Sequence, residues 1–217
     1  MRSHSIEAFK KRLKISTFQR QLLVGLLLGD GHLETQNHGR TYRLKIEHSL
    51  TQKLYVDWLY EHWKAWTLTP PQRKEQLVQG KTYMKYWFNT VSHASLRFYG
   101  QQFYRERCKI VPKAISHWLT PLALAIWFMD DGSRKSHQTC SLLLNTQCFE
   151  EGEVMRLVQA LKQRFDLDTR MRRQKEGFQI FIPSSEARRF VEIIQPYLHT
   201  SMRYKVPMVE LTQMPKE

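Results

Sequence analysis

The chain has 217 residues, 41% of them hydrophobic, which suits one large domain or two small ones with a core that needs no staples. Lys and Arg number 34 against 20 Asp and Glu, a formal charge of +14, so a polyanionic partner is expected. No apolar stretch approaches the roughly 20 residues that span a bilayer. The start, Met1 to Lys10, lacks a secretory core, so a soluble, intracellular protein with no membrane partner is expected. Six Trp and nine Tyr lie among basic residues spread along the whole chain, not gathered on one amphipathic helix, which favours nucleic acid over a membrane surface. Cys108, Cys140 and Cys148 form no CxxC pair, which argues against a disulfide framework or zinc site; they read as small buried hydrophobes.

Residues 1–16, with Lys10, Lys11, Arg12 and Lys14, read as a basic arm. From Thr17 to Gly29 the positions Leu22, Leu23, Leu26 and Leu27 keep helical spacing, with Thr17 as cap and Gly31 as breaker. Gly25 and Gly29 share one face. Each costs about 1 kcal/mol in helix propensity unless close approach of another helix recovers it, and the implied partner is Leu122 to Asp130. After a polar loop, Thr35 to Gly39, the segment Arg40 to His48 alternates, with Tyr42, Leu44 and Ile46 on one face and Arg43, Lys45 and Glu47 on the other. A helix from Gln52 to Trp66 carries a core-like stripe of Trp58, Leu59, His62, Trp63 and Trp66 and stops before Pro70-Pro71. Lys81 to Phe88 is a further strand, with Lys81, Tyr83 and Lys85 on one face, and Ser95 to Arg107 returns to helix.

Beyond Pro112 the order repeats. A second apolar run is followed by a loop, Ser133 to Gln138, a strand, Thr139 to Thr146, and a helix, Glu150 to Phe165. Basic strands at Thr169 to Gln174 and Phe178 to Ile182 and a helix at Ser185 to Tyr197 complete it. The halves end alike, on Lys109-Ile110-Val111-Pro112 and Lys205-Val206-Pro207. The reading is an α+β fold of two pseudo-symmetric α-β-β-α-β-β-α halves, residues 17–112 and 113–207, with a tail at 208–217.

Two apolar runs end in an acid-glycine step: Leu23-Val24-Gly25-Leu26-Leu27-Leu28-Gly29-Asp30-Gly31 and Leu124-Ala125-Ile126-Trp127-Phe128-Met129-Asp130-Asp131-Gly132. A carboxylate at a helix C-terminus meets carbonyls that already carry partial negative charge. Two such ends packed together repel, and the carbonyls of Gly29 and Asp130 add oxygen ligands, so Asp30 and Asp131 ask for hard divalent cations, magnesium first. Beside a phosphodiester such ions lower the pKa of a water nucleophile and offset charge on the leaving oxygen. His32, His38, His48, His62, His93, His117, His137 and His199 show no HExxH or paired spacing and read as core or solvated. Trp58, Trp63, Trp66 and Trp87 read as core and not as base-stacking platforms.

The paired runs resemble those of LAGLIDADG homing endonucleases in their single-chain, double-motif form. Ile126 to Gly132 resembles the WFMDDG version of an intron-encoded branch, as do Leu144-Asn145-Thr146-Gln147 and Tyr204-Lys205-Val206-Pro207. The resemblance implies that Asp30 and Asp131 bind metal, while Asp130 contributes its backbone. It implies that Lys109 and Lys205 polarise the attacking water and steady phosphate charge. Ile126 in place of Gly25, and Asp130 in place of Gly29, imply a looser or shifted helix contact in the second copy. The resemblance further implies two antiparallel sheets forming a saddle across DNA. Arg43, Lys45 and Glu47, Lys81 and Lys85, and Arg170, Arg172 and Gln174 are its candidate contacts, joined by Arg40, Arg134 and Asn145.

The implied activity is site-specific, magnesium-dependent cleavage of double-stranded DNA across the minor groove, leaving short 3′ overhangs and promoting intron mobility; Ca2+ would occupy the site without supporting cleavage. Unlike halves suit a long asymmetric target and a monomer. The rival reading is a maturase that binds intron RNA on the same scaffold; the presence of both acids favours the nuclease. A mitochondrion or chloroplast is compatible with either.

Overall fold

The computed structural model describes residues 2–136 and 138–207, with side chains from residue 5 onward; His137 and the tail 208–217 lie outside the described residues. The first half starts with α1 (Arg2–Lys11), a helix within the expected arm, and α2 (Thr17–Leu28). Then come β1 (His32–Glu34), β2 (Arg43–Ser49), α3 (Lys53–Trp63), β3 (Gln72–Val78), β4 (Lys81–Asn89) and α4 (Arg97–Phe103). A small hairpin, β5 (Tyr104–Arg105) and β6 (Cys108–Lys109), and a short α5 (Ile115–Trp118) lead to the second half. That half runs α6 (Pro121–Asp131), β7 (Gly132–Arg134), β8 (Leu142–Asn145), α7 (Glu151–Phe165), β9 (Arg170–Gln174), β10 (Gly177–Ile182) and α8 (Ser184–Ile194).

Two four-stranded antiparallel sheets result, with spatial orders β1-β2-β4-β3 and β7-β8-β10-β9. The same order in both halves carries the expected duplication into three dimensions. Several local expectations change. Ser16, not Thr17, caps α2: its hydroxyl accepts from Gln19 N at 3.1 Å while Gln19 Oε1 accepts from Ser16 N at 3.0 Å, a reciprocal capping box. The helix expected through Arg107 stops at Phe103, and the chain reverses through Glu106, whose φ of 57° is left-handed, so Tyr104 pairs with Lys109. Ser133 and Arg134, expected in a loop, form β7 against Leu143 and Leu142. The cysteines are all exposed free thiols and not buried small hydrophobes. Strand β3 was not foreseen because both its faces meet solvent, which leaves Gln72 to Val78 without apolar alternation.

The core is organised around α2 and α6. Residues Leu22 to Leu28 and Leu122 to Met129 are buried on every side, which is why neither run shows an amphipathic stripe. Burial of each leucine contributes about 1.5–3 kcal/mol against its exposed state. Thr120 caps α6 ahead of Pro121, and its hydroxyl also donates to Gln21 Oε1 at 2.9 Å, so the starts of the two helices are tied.

The looser contact expected from Ile126 and Asp130 is not what the helices make. A Cβ at Gly25 would meet Ala123 O at 2.5 Å and Ile126 Cβ at 2.6 Å, so the larger residue of one helix fills the notch left by the glycine of the other. Gly29 receives Asp130 in the same way. Gly25→Val is therefore expected to destabilise the fold by about 1–3 kcal/mol by overpacking. Gly152→Ala, at an exposed position with nothing within 4 Å, should instead stabilise it by up to about 1 kcal/mol. Urea denaturation of both variants checks this; equal midpoints would show that the notch is not the contact.

Candidate active site

The motif helices end side by side, and their tails make the site. Helix α2 stops at Leu28, where the N–H groups of Gly29 and Gly31 turn back to Leu26 O at 3.1 and 2.8 Å. Asp30 thus lies beyond its helix, with its carboxylate 47% exposed. Asp131 is the last residue of α6, half-buried, with its carbonyl accepting from Asn145 Nδ2 at 2.8 Å. Gln179 Nε2 donates to Asn145 Oδ1 at 2.7 Å. Burial, then the charge of Asp30, pushes the Asp131 carboxyl up to about 7.

Each half also delivers a lysine to this centre. Lys109 Nζ, positioned by the β5–β6 hairpin, donates to Gly29 O at 2.5 Å. Lys205 Nζ, from the turn Thr200–Lys205, donates to Met129 O at 2.5 Å and Asp130 O at 2.8 Å. The ammonium groups therefore sit on the negative ends of the two helices, where a cation is stabilised by the dipoles. Burial lowers both lysine pKa values, while Asp30, Asp130 and Asp131 pull them back up.

Asp130 is a different kind of acid. Its side chain is wholly buried, its Oδ2 accepts the Asp30 N–H at 3.0 Å, and its Oδ1 accepts the Tyr55 hydroxyl at 2.8 Å. Burial, followed by the charges of Asp30 and Asp131, pushes its carboxyl well up, and burial raises Tyr55 so that it stays a neutral donor. His48, read from the sequence as a core or solvated histidine, is buried but belongs to this cluster. Its Nδ1 is 3.0 Å from Gln52 Oε1 and 3.4 Å from Asp30 Oδ2, and its Nε2 is 3.8 Å from Asp130 Oδ1. Burial lowers its pKa and Asp30 opposes this.

Asp30, His48 and Asp130 bring ligand atoms within 4.8 Å of one another. The Asp130 side chain, however, has no exposed surface and both its carboxylate oxygens are engaged, which leaves the Asp30 and Asp131 carboxylates as the candidates for an arriving ion. Oxygen donors of this kind, with the carbonyls of Gly29 and Asp130 that now accept the lysine ammonium groups, fit the chemistry of a hard divalent cation. Neither His48 nor Tyr55 carries a spacing signal in the sequence; only the packing of α3 and β2 against α6 brings them here.

The outer faces of the sheets follow from register. On the first, Arg43 pairs with Glu34, Lys45 with His32 and Asn89, and Glu47 with Trp87, while Lys74 pairs with Lys85 and Gln76 with Tyr83. Arg43, Lys45, Glu47, Lys81 and Lys85 thus share one face, as expected. Arg40 lies exposed in the loop before β2. Trp87, read as core, is instead half-buried on this face, because it alternates with the inward Tyr86 and Phe88. Ion pairs cross the strands: Arg43 to Glu34 at 2.6 Å, Lys45 to Glu47 at 3.4 Å and Lys74 to Glu47 at 2.6 Å. Lys74 and Glu34 carry no local signal in the sequence that marks them as part of this network.

On the second sheet, Arg172 and Asn145 flank Gln179, and Arg170 and Leu143 flank Phe181, with Gln174 next along β9. Arg134 does not join them. It pairs with the inward Leu142, which puts it on the core face of the edge strand, with its Nε buried and without a hydrogen-bond partner. Asn145 is on the outer face but commits its amide to Asp131 and Gln179.

Two matched α-β-β-α-β-β-α halves, joined through acid-tipped helices beneath paired sheets, define a double-motif nuclease scaffold. The chain belongs to the LAGLIDADG DNA endonuclease family, whose model matches residues 20–190. It is 31% identical over 210 residues to the DNA endonuclease I-ChuI of Chlamydomonas applanata, a match covering 89% of this chain and 96% of that one. It is 27% identical over 198 residues to the cytochrome b mRNA maturase bI2 of Saccharomyces cerevisiae, covering 85% of this chain and 46% of that protein. Among solved structures, the homing endonuclease I-WcaI bound to its DNA recognition sequence superposes with a TM-score of 0.87 at 26% identity, covering 92% of this chain and 91% of that one.

The raised Asp131 has a consequence for the metal-free protein. Between pH 4 and 7 the folded state holds a proton that the unfolded chain releases, so stability is greatest at the acid end and falls as pH rises towards 7. The loss is at most about 4 kcal/mol. Asp131→Asn should make that part of the profile shallower, with the raised Asp130 supplying the slope that remains, as read from thermal melts in chelator across pH 4–7.

Proposed function

We propose that this homing endonuclease cuts both strands of a long, asymmetric DNA site by divalent-metal-dependent hydrolysis, with one acid from each half serving the centre. The observation that carries the reading is the convergence of Asp30 and Asp131 at the packed ends of α2 and α6, with Lys109 and Lys205 on the adjoining carbonyls. Asp30, Asp131 and the carbonyls of Gly29 and Asp130 would hold the ions, Mg2+ by preference, with Ca2+ filling the site without cleavage. The bound ions would supply a lowered water pKa and charge compensation on the phosphate. Lys109 and Lys205 hold positive charge at the carbonyl ends, where they orient water and steady the phosphate oxygens. The outer faces of the two sheets, led by Arg43, Lys45, Lys81, Lys85, Arg170 and Arg172, bind the duplex, and their different sequences suit unlike half-sites. Short 3′ overhangs and action as a monomer belong to the same reading. So does an organellar intron as host, in keeping with the cytochrome b message named for one relative.

The expected result is that the protein with Mg2+ linearises a plasmid carrying its target, while Asp30→Asn or Asp131→Asn lowers cleavage about 100-fold or more and leaves DNA binding in Ca2+ intact. Lys109→Met or Lys205→Met should cost about 100-fold in single-turnover rate with little change in affinity. Normal cutting by both aspartate variants would refute the site. The maturase relative gives a second reading some support: if no duplex target is cut, yet the chain binds its own intron RNA and promotes its folding, that reading replaces the nuclease.

A further inference from the structure

The two acids of the centre are held by different means. Asp131 closes α6 as its last helical residue, so its backbone is part of a helix. Asp30 lies outside α2, and its N–H has no helical acceptor; it is donated across the interface to Asp130 Oδ2 at 3.0 Å. The other oxygen of Asp130 is anchored by the hydroxyl of Tyr55, a fully buried residue of α3, at 2.8 Å. The position related to Asp130 in the first motif is Gly29, which has no side chain and cannot return the contact. Its notch is what admits Asp130: a Cβ there would stand 2.5 Å from Asp130 Cβ and 2.6 Å from Asp130 Oδ2.

We infer that Asp130 is a positioning residue for Asp30 alone, so that a Tyr55–Asp130 strut holds one acid of the centre while the other is held by its own helix. The inference rests on the proposed nuclease reading, and it makes the centre unequal about its pseudo-twofold axis. Removing the strut frees the Asp30 backbone without touching Asp131, and the two DNA strands then lose rate unequally. A buried carboxylate that satisfied only Tyr55, or that served the general stability of the helix pair, would slow both strands alike.

The test uses the full chain with Asp130→Ala, Asp130→Asn and Tyr55→Phe, and two readouts. The first is the hydrogen-exchange protection of the Asp30 amide in metal-free protein, followed by NMR. It should be lost in Asp130→Ala and retained in Asp130→Asn, whose amide oxygen still accepts the N–H, while amides at the centres of α2 and α6 keep wild-type protection. The second is single-turnover cleavage in Mg2+ of a duplex with its strands separately end-labelled. Asp130→Ala should slow one strand about 10- to 100-fold, the usual cost of losing a partner that orients a metal ligand, with the other strand within about twofold of wild type. Tyr55→Phe should move in the same direction by less, and Asp130→Asn should restore most of the rate. Unchanged protection of the Asp30 amide, or equal slowing of both strands in a folded variant, overturns the inference. Wild-type cutting by Asp30→Asn and Asp131→Asn would instead overturn the nuclease site on which it rests, and the amide readout would still decide whether the strut exists.

Discussion

The approach of α2 to α6 is the contact on which the rest depends. It is close because Gly25 and Gly29 leave notches that Ile126 and Asp130 fill, and that closeness forces two helix C-termini and their acids together. The interface is at once the central seam of the core and the floor of the candidate site. What apolar burial gains along the helices is partly offset at their tips, where carboxylates and carbonyl dipoles of one sign converge. The raised Asp131 and the two lysines drawn onto the helix-end carbonyls are both responses to that field. A centre built this way suits cations, because the fold concentrates negative charge that the two lysines and the raised Asp131 offset only in part.

Duplication supplies the two acids, but the copies have diverged where they meet. Gly25 faces Ile126 and Gly29 faces Asp130, so the seam is complementary and not symmetric. Such pairing fits side chains into a tighter packing than two identical surfaces would allow, since a bulky residue needs an empty position opposite. The same divergence reaches the sheets. The first outer face carries acids, Glu34 and Glu47, that hold Arg43, Lys45 and Lys74 in cross-strand ion pairs, each worth little in stability but enough to orient long side chains. The second carries Arg170 and Arg172 beside Asn145 and Gln179, without an acid among the paired outer residues.

Element order, the two buried motif helices, the partner of the glycine face and the alternating basic strands were all legible in the sequence, because each leaves a local period or an uninterrupted apolar run. Where the structure departs from the sequence pattern, the physical causes are equally local. Helix α4 ends before Tyr104 although Tyr104 to Arg107 has no strong breaker, because the turn rests on a left-handed Glu106 that no glycine announces. Strand β3 leaves no local signal for want of a buried face. Trp87 was assigned inward by its chemistry, whereas the pleat beside Tyr86 and Phe88 turns it outward. Arg134, which the resemblance places among the DNA contacts, is turned inward by its register with Leu142.

The sequence by itself determined that two acid-glycine helix ends exist and that each half carries a lysine before a Val-Pro step, since these are properties of short segments. Only the tertiary structure decided that each lysine rests on the motif carbonyls of its own half, that His48 and Tyr55 stand beside the acids, and that Asp130 braces Asp30. The lysine contacts and the Tyr55–Asp130–Asp30 chain join residues 75 to 100 positions apart, and a contact of that span has no period to betray it; it is set by which helix fits which notch.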